Sequence, residues 1–216
     1  MDFSVVVPYE SLFWSGLLVT LEVTGAALVL AFALGAVIAV LKVLPCRPLR
    51  AVLDFYTSIF RGVPLIVLLF IAYFATPQLT GYKISMFTAS VLTLGLNGSA
   101  TVSETLRGGI EGVDRGQYDA ARALGLSYTT MMARIIIPQA LRSVVPALMN
   151  EVITVLKSSS LVATIGLMDM MRAAQSVQAL TYRAFEPFLV VAVVYYLIVM
   201  ALVAVGKRLE RRLRES

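Results

Sequence analysis

Two stretches of this chain leave little choice of environment. Residues 17–41 are apolar with a single charge, Glu22, and residues 188–206 carry no charge at all. A helix rises about 1.5 Å per residue, so each run is long enough to cross a hydrocarbon layer about 30 Å thick. In a soluble domain such runs would have to be buried on every side. Composition argues against that: 59% of the 216 residues are hydrophobic and 14% charged. A soluble domain sits nearer one half and one quarter. The chain therefore reads as an all-α integral membrane protein.

Three further runs complete the span pattern. Residues 52–74 are mostly apolar but contain Asp54, Arg61, Gly62 and Pro64, and the proline predicts a kink. Residues 86–106 carry a polar stripe, with Asn97, Thr101 and Glu104 at i, i+4 and i+7 on one helical face. Residues 135–156 form the fourth span and 188–206 the fifth. Residues 75–85 read as an outer loop. Residues 158–185, with Asp169, Arg172 and Arg183, read as outer or partly re-entrant.

The positive charges orient the chain. Lys42, Arg47 and Arg50 follow the first span, among the helix-breaking Pro45 and Pro48. Arg107, Arg115, Arg122, Arg134 and Arg142 outnumber Glu111, Asp114 and Asp119 after the third, and the tail from Lys207 to Arg214 holds five bases and one acid. Basic loops stay in the cytoplasm. About five spans, with residue 1 outside and residue 216 inside, satisfy all three. The net charge of +5 is accounted for this way. No basic stripe with interleaved aromatics points to nucleic acid. The N-terminus lacks the basic start of a cleaved signal peptide, so the first span is expected to be retained.

Several chemistries are excluded. There is no histidine, hence no Ser-His-Asp triad, and Cys46 is the only cysteine, hence no internal disulfide or paired-cysteine metal site. The one Gly-Lys pair, Gly206-Lys207, has Ala201 where a phosphate-binding loop needs its first glycine. No catalytic residue, metal site or cofactor is expected on this chain.

Polar groups within the spans are the candidates for a transport path, because charge at membrane depth is costly and faces a cavity or a partner. Asn97, Thr101 and Glu104 on the third span qualify. On the fourth, Asn150, Glu151, Thr154, Lys157 and Ser158 read as one polar face opposite Val152, Val155 and Leu156, with Ser159 following. The same pattern also suits polar groups that only join helices. The serine run after Lys157 predicts an unwound stretch, with free N–H groups near Leu161 to receive an anion.

Residues 116–138 form a polar segment between two spans. Asp119-Ala120-Ala121 is expected to open a short helix, with the acid near its N-terminus, and Gly125 to end it in the left-handed conformation. Physics alone leaves two readings, an ordinary interhelical loop or a hairpin whose alanines let another protein approach closely.

The spacing of this segment resembles the cytoplasmic signature of binding-protein-dependent ATP-binding-cassette importer permeases. Their pattern is E-A-A, three residues, G, nine residues, I-x-L-P. Here it reads Asp119-Ala120-Ala121, Gly125, then Ile135-Ile136-Ile137-Pro138, with aspartate for glutamate and isoleucine for leucine. Arg61-Gly62-Val63-Pro64-Leu65, the run from Glu104 to Ile110, Gly116-Gln117, and the runs from Pro146 to Glu151, Lys157 to Leu161 and Tyr182 to Pro187 are similar to the polar amino acid branch. The resemblance covers nearly the whole chain from Gly16.

It implies a single permease domain over residues 1–216 with the importer-permease (type I) fold and a coupling loop at about 112–138. Gly116, Gln117, Asp119, Ala120, Ala121, Arg122 and Gly125 would engage a cytoplasmic ATP-binding subunit, which holds the ATP and Mg. Other implied partners are a periplasmic or surface-anchored amino-acid-binding protein, a second permease subunit and the lipid bilayer. The implied location is a bacterial inner membrane. A self-contained channel or secondary carrier is the alternative, and a non-transporting scaffold a third reading; neither needs an ATPase-docking hairpin.

Overall fold

The computed structural model describes residues 2–215, and the side chains of residues 2–213; residues 1 and 216, whose sides of the membrane are expected above, and the side chain of Arg214 in the basic tail lie outside the described residues. The elements run α1 (Glu10–Val43), α2 (Arg47–Gly62), α3 (Leu65–Phe70), α4 (Thr76–Thr80), α5 (Met86–Glu111), α6 (Arg115–Ala123), α7 (Tyr128–Met131), α8 (Ile137–Ser158), α9 (Met170–Thr181) and α10 (Phe185–Glu215). π-helical turns at Ile71–Ala75 and Met132–Ile136 join α3 to α4 and α7 to α8, and a 3₁₀ helix, Ser159–Ile165, extends α8.

Three helical stretches are long and apolar enough to cross a membrane: Phe3–Val43, Tyr128–Ile165 and Phe185–Leu213. The bent pair Arg47–Gly62 and Leu65–Thr80 makes a fourth if it counts as one span. The five expected spans thus correspond to four by length and composition. The exception is α5, which is long enough but too polar. Its polar residues face protein: Ser90, Thr93, Ser99 and Ser103 are buried, as are Gly95, Gly98 and Ala100. α5 lies at the centre of the bundle, along α1 and against α8. Small residues let these backbones close up, as expected where lipid supplies no hydrophobic drive between helices. A Cβ built on Gly35 of α1 would stand 2.7 Å from a Val102 methyl of α5.

The expected kink at Pro64 is a 103° bend between α2 and α3. Proline has no N–H, so the carbonyl of Phe60, four residues earlier, loses its helical donor. Asn97 of α5 supplies the replacement, its Nδ2 donating to the Phe60 carbonyl oxygen. Prolines also lie just beyond both π turns, Pro77 after Ile71–Ala75 and Pro138 after Met132–Ile136. A widened turn relieves the clash between a proline ring and the preceding carbonyl. Side chains cap the widened turns: Thr76 Oγ1 donates to the Ile71 carbonyl at 3.0 Å and Gln139 Nε2 to that of Ile135 at 3.0 Å.

Residues 75–85 and 158–185, both expected to lie outside, hold more structure than their sequence suggests. Residues 75–85 include α4, ended by Gly81. After Lys157 the chain does not unwind but tightens into the 3₁₀ helix, closed by Gly166 at φ +95°. The intervening N–H groups are therefore used, and no helix N-terminus opens near Leu161. The next α-helix begins at Met170, where Asp169 Oδ1 already accepts from the Arg172 N–H at 2.8 Å.

Candidate functional site: a polar helix face and a capped hairpin

The fourth-span stripe divides in two. Asn150, Thr154 and Lys157 are exposed along one line of α8, and Pro146 and Ala147 continue it. The Lys157 ammonium has no ion-pair partner among the described residues. Glu151 leaves this line, contrary to the single face expected. It is 9% exposed and turned into the bundle, its carboxylate 3.6 Å from where a Cβ on Gly98 of α5 would stand. The reason is angular: residues 150, 154 and 157 repeat at the helical period, and residue 151 is rotated about 100° from residue 150. Ser158 is half-buried. Ser159 is fully buried and donates to the Leu156 carbonyl at 2.7 Å, so its hydroxyl is spent on its own helix.

The third-span stripe is largely committed to protein contacts. Asn97 caps α2 as described, and Thr101 is half-buried. Glu104 is not free to meet a substrate amine. Its Oε1 lies 2.6 Å from Lys42 Nζ, and its Oε2 2.7 Å from Arg107 Nη2. Sequence reasoning missed Lys42, which it read as a loop base; the structure buries it completely. Its partners stand 12 to 62 residues away, so no local pattern marks it.

Beyond Glu111, where α5 ends, the chain turns into the expected hairpin, with a shifted start. Asp114, not Asp119, caps α6: its Oδ1 accepts from the Gly116 N–H at 2.7 Å. Asp119 lies in the helix interior, 3.7 Å from Arg122. The alanine pair also splits. Ala120 is exposed, and Ala121 packs against Met131, Met132 and Ile136. The end of α6 is as expected. Gly125 sits at φ +70°, its N–H bonds to the Arg122 carbonyl at 2.9 Å, and the Leu126 N–H reaches the Ala121 carbonyl at 3.1 Å. These two bonds are a Schellman cap, which satisfies carbonyls left open at the helix end.

Gly116, Gln117, Asp119, Ala120 and Arg122 remain exposed, with Leu124. Beside them a groove of about 620 Å³ is lined by Glu111, Val113, Arg115, Tyr118, Asp119 and Arg122. Tyr118 donates to the Ile110 carbonyl at 2.9 Å, and burial raises its phenol above the usual range, so it stays protonated. The hairpin is thus a short helix capped at both ends, with a charged outer face, packed against the end of α5 and the turn before α8.

The family described as "Binding-protein-dependent transport system inner membrane component" matches residues 23–215. The chain belongs to that family. The arginine transport system permease of Bacillus subtilis (strain 168) is 42% identical over 216 residues, covering 100% of this chain and 99% of the relative. A putative glutamine transport system permease of Rickettsia bellii is 42% identical over 198 residues, covering 92% and 91%. The crystal structure of an amino acid ABC transporter with histidines aligns at a TM-score of 0.93 with 40% identity, covering 98% of this chain and 99% of the other. As a member of this permease family the chain is a membrane component of a transport system, and its helical architecture is that of importer permeases.

Membership gives the Schellman cap a testable weight. Gly125→Val places a β-branched side chain at positive φ, where L-residues lose about 1–2 kcal/mol. Nothing lies within 4 Å of the added Cβ, so the penalty is conformational and confined to the hairpin. Membrane insertion is expected to be unchanged while substrate uptake by the assembled transport system falls several-fold. Wild-type uptake in that variant would show the cap to be dispensable.

Proposed function

We propose that this chain is the permease subunit of an ATP-driven importer of polar amino acids, with ATP hydrolysed by a separate cytoplasmic subunit. The observation that carries the reading is α6. A short helix capped at both ends and exposed on its charged face, at the base of the central helices, suits docking to a motor protein. A channel or scaffold has no use for it. The names of the relatives supply the substrate class: one is called an arginine permease, another a glutamine permease, and the aligned transporter was solved with histidines. Five spans with residue 1 outside and α6 in the cytoplasm fit the basic loops.

Two permease copies, identical or related, would enclose the path, because one bundle with an exposed Asn150–Thr154–Lys157 line offers one wall. That line would face water, with Lys157 holding the substrate carboxylate. Asn97, Thr101 and Glu151 would shape the wall from behind. An amino-acid-binding protein would deliver the substrate at the outer face of a bacterial inner membrane. ATP and Mg belong to the motor subunit.

The test is reconstitution in lipid vesicles with the cognate ATPase and binding protein, using labelled arginine, histidine and glutamine as probes. ATP-dependent accumulation of at least one, with hydrolysis stimulated by loaded binding protein, is expected. Downhill flux of these probes through the permease alone, unchanged by ATP, would replace this reading with a channel or carrier.

A further inference from the structure

Lys42 is buried completely where α1, α2 and α5 meet, and the path and the hairpin as described make no use of it. Its Nζ lies 2.8 Å from Asp54 Oδ1 of α2 and 2.6 Å from Glu104 Oε1 of α5, and it donates to Thr57 Oγ1 of α2 at 2.9 Å. A buried ammonium is costly unless paired, and this one is paired from two different helices.

The contacts continue in one direction. Glu104 Oε2 is held by Arg107, and Arg107 Nη1 reaches Glu111 Oε2 at 2.7 Å. Glu111 stands on the rim of the hairpin groove, with Arg115 and Tyr118. An unbroken line of charge contacts therefore runs from the groove beside α6, through α5 and α1, to Asp54 in the middle of α2. The two poles of Lys42 are unequal. The Glu104 side chain is 18% exposed and held by two cations; that of Asp54 is 54% exposed, with Arg50 as a second cation at 3.8 Å. A half-exposed carboxylate is rehydrated cheaply, so the Asp54 contact is the one that can open.

We infer that Lys42 is a positioning residue for energy coupling: it passes movement of the hairpin and the end of α5 to α2, and the Lys42–Asp54 contact is the joint made and broken in the cycle. The inference rests on the proposed ATP-driven function. α2 is otherwise tied to α5 by neutral groups, Tyr56 Oη donating to the Leu96 carbonyl at 3.0 Å and Asn97 to the Phe60 carbonyl. Coupling carried along contacts needs direct energetic evidence, which a variant cycle provides.

The experiment uses the full complex in vesicles, with labelled arginine, histidine or glutamine, and reads the ratio of amino acid taken up to ATP hydrolysed. Asp54→Asn, Lys42→Met and the double variant are compared with wild type. The expected result is a ratio about fivefold or more below wild type in Asp54→Asn, with hydrolysis retained and the double variant no worse than Lys42→Met. A purely structural role lowers uptake and hydrolysis together and leaves the ratio alone; that outcome, or additive effects, overturns the inference. If Lys42→Met does not assemble, Asp54→Asn decides, since its side chain is half-exposed. A wild-type complex without amino-acid-stimulated hydrolysis overturns the functional reading, and this inference with it. A coupled wild type with an unchanged Asp54→Asn ratio overturns only the inference.

Discussion

Gly16→Leu is expected to lower the yield and melting temperature of the folded permease sharply. A Cβ at this position would lie 2.8 Å from the carbonyl oxygen of Asp169, 2.9 Å from its carbonyl carbon and 3.0 Å from the Met170 Cα. All three are backbone atoms, so no rotamer change relieves the clash. The contact also anchors the start of α9, where Thr20 Oγ1 accepts from the Met170 N–H at 3.1 Å and Asp169 caps the helix. Separating α1 from α9 would break the Thr20–Met170 bond, leaving its buried polar groups without partners, and would expose the cap that Asp169 makes within α9. Overpacking alone costs about 1–3 kcal/mol, and the unpaired groups add about as much again. Since domains are stable by only about 5–15 kcal/mol, the sum removes much of the margin.

The measurement is monodisperse yield and melting temperature in detergent. Gly25→Ala on the same helix is the control. Nothing lies within 4 Å of its added Cβ, and alanine favours the helix by about 1 kcal/mol, so its melting temperature should equal or exceed that of wild type. Equal stability of Gly16→Leu and wild type would mean that the α1–α9 approach is looser than described.

Lys157→Met is the second large effect, on transport and not on folding. The side chain is exposed on the spanning stretch Tyr128–Ile165, and its ammonium pairs with nothing among the described residues. An unpaired cation at this depth has to meet water or a ligand. Methionine keeps the length and the apolar stem, so α8 should pack as before. A charge-assisted hydrogen bond to a substrate carboxylate is worth about 1.5–3 kcal/mol, so uptake in vesicles should fall roughly tenfold or more. Melting temperature should remain near the wild-type value. Thr154 and Asn150 lie one and two turns further along the same face. Uptake at the wild-type rate and selectivity in Lys157→Met would assign the lysine to the membrane interface or a helix contact.

The membrane class, the five apolar or half-apolar runs and the hairpin were legible in the sequence because each is local. A spanning helix needs only length and apolarity, and a left-handed glycine after a short helix needs only the next two residues to form its cap. The position of Gly125 at φ +70° and the break at Pro64 follow from such local chemistry. The line of Asn150, Thr154 and Lys157 also follows from the helical period.

What lies behind α5 was not legible. Its low hydropathy is offset by protein packed over Ser90, Thr93, Ser99 and Ser103, and composition does not say which neighbour covers a helix. Glu104 looked like a free acid because Lys42 is 62 residues away, and Glu151 like a pathway group because its rotation toward Gly98 depends on where α5 stands. The serine run after Lys157 looked like a helix breaker because serines compete for the backbone, yet Ser159, Ser160 and Thr164 all turn that competition into bonds to carbonyls one turn back and hold a 3₁₀ helix. Sequence is enough to place the long helical runs, the break at Pro64 and the clusters of charge. The tertiary structure alone decides which charges are paired and which remain open, because pairing joins residues far apart in the chain at separations of about 3 Å, and helix packing sets those separations.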